Sequence, residues 1–115
     1  ALGVNVYRWT IVNGPCPGAT TTSDVTITLF DPATATANAG PDQSLCGATS
    51  TVMNANAVSA PAVGTWTLVS GSAVIANANN AATAITGLGT GSVTLRWTIN
   101  NGPCGSTSDD VTILN

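Results

Sequence analysis

The chain has 115 residues, of which only 6 % are charged: two Arg, no Lys, no His and five Asp, for a net charge of −3. So few cations exclude a nucleic-acid surface and electrostatic docking on an acidic membrane, because both need clusters of Lys and Arg. Positive mean hydropathy with so small a net charge also excludes a disordered chain.

In chain order, residues 4–12 alternate apolar and polar side chains, the period-two signature of a half-buried strand. Asn13-Gly14-Pro15-Cys16 is a turn signal. Val25, Ile27 and Leu29 then mark a second strand, so the segment reads as a β-hairpin with Tyr7, Trp9, Ile11, Val25, Ile27 and Leu29 on its inner face. Asp31-Pro32 breaks the strand and opens a linker through Ala37. Ala33–Ala39 is Ala-rich but has no apolar stripe to bury, so no helix is expected.

Ala39-Gly40-Pro41-Asp42-Gln43 predicts a bend before a short strand to Cys46. Further strands are expected at Thr51–Ala55, with Val52 as the clearest apolar position, and at Gly64–Val69, with Trp66 and Leu68 on one face. Two more are expected at Ser72–Ala76, carrying Val74, and at Ala82–Thr86, with Ile85 inward. Residues 91–99 alternate again, with Val93, Leu95, Trp97 and Ile99 facing one way. Val111 and Ile113 mark the final strand. About seven short strands with a turn every 8–12 residues predict an all-β sandwich of the immunoglobulin type. Its expected core is Trp66, Leu68, Leu95, Trp97, Ile99, Val111 and Ile113, with one of the two Trp residues contributed by each sheet.

The chain repeats itself. Arg8–Cys16 and Arg96–Cys104 match at eight of nine positions at an offset of 88, and Asp-Val-Thr-Ile recurs at 24–27 and 110–113. Self-similarity at a fixed period marks an array of like modules. The expected organisation is a last hairpin of one repeat at 1–31, a linker at 32–37 and a complete repeat at 38–115. Neighbouring repeats are then the expected partners, with head-to-tail or lateral self-association. Arg96 and Asp110 are expected to form an ion pair, because Arg8 and Asp24 recur together in the first copy.

Cys16 and Cys104 are one repeat position seen twice, and Cys46 is a second position. Two cysteines per repeat in a Lys-free, Thr-rich chain point to disulfides and an extracellular, oxidising setting. Pairing within one repeat would join Cys46 to Cys104, leaving Cys16 without a partner. That pairing needs no assumption about how repeats stack, yet the two turns lie at opposite ends of such a sandwich. A seven-residue strand spans about 23 Å, whereas disulfide-linked Cα atoms lie within about 7 Å. Pairing between adjacent repeats is the alternative.

No catalytic group is expected, since without His, Lys or Glu there is no base to activate a Ser or Thr. No cofactor is expected either. Calcium is the one metal to weigh, with Asp31, Asp42, Asp109 and Asp110 as candidates near the domain ends, but no Asp-x-Asp-x-Asp pattern occurs. No apolar run reaches the roughly 18–20 residues of a membrane-spanning helix.

Together, Ala37–Gln43, Leu45-Cys46, Gly64–Gly71, the Arg96–Cys104 hairpin and Asp110–Ile113 resemble the PKD-like, immunoglobulin-like repeats of giant Bacteroidetes surface proteins. Gliding-motility adhesins of the SprB type carry such repeats. The resemblance covers about 85 residues of complete repeat and the partial upstream copy. It implies an extracellular location, export by the type IX secretion system, and a role in adhesion or gliding. The whole reading is therefore a structural repeat of a surface filament or adhesin, not an enzyme, with a surface or glycan target carried elsewhere. The alternative is a carbohydrate-binding or spacer module of a secreted enzyme, which would display aromatics such as Tyr7 or Trp66 on a flat exposed face.

Overall fold

A computed structural model of the chain describes residues 2–15, 18, 20–33 and 36–115. The molecule is elongated, with extents of 78 × 26 × 17 Å. Its regular elements are strands β1 (Gly3–Ile11), β2 (Thr21–Leu29), β3 (Gln43–Ser44), β4 (Ser50–Val52), β5 (Val63–Ser70), β6 (Val74–Ile75), β7 (Ala84–Thr86), β8 (Ser92–Asn100) and β9 (Ser106–Leu114), with one turn of 3₁₀ helix at Gly102–Cys104.

Three sheets result. β1 and β2 pair only with each other, while β3-β9-β8-β5 and β4-β7-β6 form sheets of four and three strands. The larger two enclose one core, and the fold is an all-β sandwich. Strand β8 shows why. Its alternation places Val93, Leu95, Trp97 and Ile99 inward, and Val111 and Ile113 of β9 continue that face. Ile85 and Met53 close it from the opposite side.

Trp66 and Trp97 are both fully buried, but they do not come one from each sheet. β5 pairs antiparallel with β8 in a register that sets Trp66 directly opposite Trp97. Their ring centroids lie 5.1 Å apart at 44°, a tilted contact that adds about 0.5–1.5 kcal/mol to the burial itself. The Trp97 ring lies over Gly64, where any Cβ would overlap it. The Trp66 indole N–H donates to Asn80 O at 3.1 Å, which ties the loop before β7 down on the core.

Several inward assignments need correction. Leu68 shares the Trp66 face but is 41 % exposed. It lies toward the end of β5, a sheet-edge strand, just before a register shift between Leu68 and Ser70, and the short β4-β7-β6 sheet leaves it open. Val52 and Val74 point outward, and their neighbours Met53 and Ile75 pack on the core. Strands of two or three residues contain too little alternation to fix which face is inward.

The segment before β3 also belongs to the sandwich. The Ala37 N–H donates to Thr107 Oγ1 at 2.9 Å, the Ala39 N–H to Asp109 Oδ2 at 2.8 Å, and the Thr112 N–H to Asp42 Oδ1 at 2.8 Å. Residues 37–44 thus run beside β9 until the parallel β3–β9 ladder takes over. Ala37 and Ala39 are buried, so docked edge begins at Ala37, the last residue of the expected linker. Gln43 then joins the two sheets, accepting from the Thr51 hydroxyl and donating to Val52 O.

Candidate functional site

No group of three or more His, Cys, Asp or Glu side chains gathers to hold a metal ion among the described residues. The features with functional content are the joint between the two copies, the cysteines at the two poles of the sandwich, and the uncovered face of the first hairpin.

The joint is built from the chain leaving β2 and the turn between β8 and β9. Phe30 lies against Gly102, where a Cβ would come within 2.6 Å of the Phe30 ring. Gly102 also has φ +53°, a backbone state that side chains with a Cβ disfavour. Glycine there permits both the turn and the contact. Beside it the Asn101 amide donates to Asp31 O at 2.7 Å. Asn101 is only 7 % exposed, and its Oδ1 has no hydrogen-bond donor among the described residues.

The four calcium candidates do not converge. The Asp31 carboxylate accepts from the Ala33 N–H, Asp42 from Thr112, and Asp109 from Ala39. Asp110 holds Arg96 in a two-pronged pair, with Nε to Oδ1 at 2.6 Å and Nη2 to Oδ2 at 2.8 Å. Arg8 and Asp24 form the same fork at 2.7 and 2.9 Å. In both pairs the Arg hydrogen bonds hold the carboxyl below the ordinary Asp value. Asp109 and Asp110, as strand neighbours, point to opposite faces.

Cys46 and Cys104 are exposed free thiols, and a bond between them is ruled out by position. Cys104 ends the turn that precedes β9. Cys46 follows Leu45, whose N–H donates to Leu114 O at the far end of β9. A nine-residue strand separates them by about 30 Å. Cys16 lies outside the described residues.

The first hairpin has the same internal register as the last. Arg8 faces Asp24 and Tyr7 faces Val25, as Arg96 faces Asp110 and Leu95 faces Val111. What differs is cover. Trp9 is 70 % exposed where Trp97 is 1 % exposed, and Tyr7, Ile11, Val25, Ile27 and Leu29 are exposed with it. The register sets these side chains on one face, as expected, but no strand among the described residues covers it.

A cleft of about 460 Å³ lies near Gly64, Asn77, Asn79, Asn80 and Trp97. The Asn79 amide is engaged by Gly64 O and Thr65 Oγ1, so that side chain fastens the loop to β5. No helix among the described residues is long and apolar enough to cross a membrane.

No protein-family model matches the chain, and no curated protein matches it significantly.

Proposed function

We propose that the chain is a stretch of a tandem array of PKD-like, immunoglobulin-like sandwiches, acting as a structural spacer in an extracellular surface filament or adhesin. The single observation that carries this reading is the hairpin that occurs twice in one register, covered in one copy and bare in the other. The strand order supports it as well: β4-β7-β6 facing β3-β9-β8-β5 corresponds to a B-E-D sheet against a G-F-C sheet with an extra edge strand. The function is mechanical. Each module resists extension through its β8–β9 and β3–β9 ladders, and the joint sets the spacing to the next module. Adhesion or gliding is the role of the whole filament, and no enzymatic step or cofactor is assigned to this part.

The test is completion. Residues 30–90 placed ahead of Gly3 supply the strands that cover the last hairpin in the second copy. Trp9 emission should then move to shorter wavelength and Trp9 should become protected from aqueous quenchers. An added segment that folds while Trp9 stays quenchable defeats the reading.

The exposed pair Tyr7 and Trp9, two residues apart on one face of β1, favours a second reading as a carbohydrate-binding module. Retardation in a polysaccharide gel that is lost on Tyr7→Ala and Trp9→Ala would replace the spacer reading with that one.

A further inference from the structure

Two cysteines that cannot meet within a sandwich lie where two sandwiches would touch. Cys104 marks the pole at which a preceding copy arrives: its N–H donates to Asn101 O, Asn101 holds Asp31, and Gly102 seats Phe30. Cys46 marks the opposite pole, where the chain leaves. It sits between Leu45, which donates to Leu114 O, and Ala48, which exchanges two hydrogen bonds with the Asn115 side chain.

The repeat offset puts these poles in register. Leu29 is the counterpart of Asn115, so Phe30 and Asp31 are the counterparts of the next two positions of the array. Cys46 therefore flanks the last residue of one module, and the Cys104-type thiol of the following module flanks the next two. Two residues of extended chain reach about 7 Å, so the two cysteines flank chain points about that far apart, the upper end of what a disulfide spans between Cα atoms. The orphan Oδ1 of the buried Asn101 lies at the same pole, an acceptor left for a group that the preceding module brings.

We infer that each joint of the array is closed by a disulfide between Cys46 of one module and the Cys104-type residue of the module that follows. Cys16 holds the Cys104 position in the first copy and is the thiol that a module before it would engage. Forming the bond removes one hydrogen from each thiol. A dialkyl disulfide such as glutathione disulfide accepts both and leaves as two thiols. The consequence is a fibre whose joints are covalently stapled as well as chain-linked, so tension is shared between two crossings at every joint. The inference rests on the array reading above.

The experiment uses a protein in which residues 30–115 are repeated after Asn115, refolded with glutathione disulfide. It carries five cysteines. Non-reducing peptide mapping should find Cys46 of the first copy joined to Cys104 of the second, with three thiols left for alkylation. Cys46→Ser in the first copy and Cys104→Ser in the second should each leave four free thiols, and neither exposed substitution should disturb folding. Five free thiols, or any other pairing, overturns the staple. Fluorescence separates this result from the parent reading. If both copies bury their Trp66–Trp97 pair while the staple fails, the array stands without it, whereas a second copy that does not fold takes both down.

Discussion

One hairpin of this molecule is the heart of a sandwich, and its near-duplicate stands bare. β1–β2 and β8–β9 share sequence, register and the Arg–Asp fork. The local code for the hairpin's register is therefore complete in each copy. Burial is supplied from elsewhere, by the sheet β4-β7-β6 and the edge strand β3, which among the described residues accompany the second copy alone. Each large apolar side chain so covered contributes about 1.5–3 kcal/mol, while a lone two-stranded hairpin is marginal in water. The same residues thus define structure in one place and an unfilled surface in another.

The largest expected effect breaks the comparison at its centre. Trp97→Ala empties the site opposite Trp66 and should cost about 3–5 kcal/mol. Trp9→Ala occupies the same repeat position on an exposed face and should fall within about 0.5 kcal/mol of the parent. Urea unfolding followed by far-UV circular dichroism measures both. Equal losses would mean that the first hairpin is covered in solution.

Next in size is Gly64→Ala, whose new methyl group meets the Trp97 ring. Overpacking of this kind costs about 1–3 kcal/mol, read as a lowered thermal midpoint. Chemical shifts of the Trp97 indole should move as well, since the ring must give way.

A second substitution pair isolates the joint. Gly14 and Gly102 both have positive φ, +47° and +53°, but only Gly102 has a neighbour in reach, namely Phe30. Gly14→Ala should incur only the left-handed strain of about 1–2 kcal/mol. Gly102→Ala should incur this and also expel Phe30. Small-angle scattering should then show a broader distribution of hairpin-to-sandwich distances for Gly102→Ala alone. Identical scattering from the two variants would mean that the Phe30 contact does not orient the joint.

The long strands were legible because seven or more residues of clean alternation, anchored by Trp and Ile, leave one choice of inward face. The all-β sandwich followed from their number and spacing. The finer errors have physical causes. Val52, Val74 and Leu68 sit in strands too short, or too near an open edge, for alternation to decide burial. Ala37 and Ala39 are buried by backbone hydrogen bonds to Thr107 and Asp109, and Ala has too weak a hydropathy signal to announce it. Placing the two Trp residues in different sheets failed because strand order is non-local, and nothing near Trp66 states that β5 pairs with β8. The cysteine-bearing turns were already legible as lying at opposite ends of a sandwich, and the parallel β3–β9 ladder sets Cys46 at the end of β9 away from Cys104.

The smallest effect tests the one feature on which the two hairpins agree. In both forks the Arg side-chain hydrogen bonds hold the Asp carboxyl below its ordinary value, in Asp24 as in Asp110. A carboxyl whose folded value is depressed stabilises fully above the ordinary Asp range, and that contribution disappears as pH falls through the folded value. Both forks are solvent-exposed, so their contribution should also shrink in high salt. Carbonyl-detected NMR titration should give both carboxyls midpoints below ordinary Asp. Asp110→Asn should flatten part of the acid-side decline in sandwich stability. Asp24 titrating at the ordinary value while Asp110 does not would show that the fork needs a covered hairpin behind it, and the claim that each copy carries a complete local code would fail.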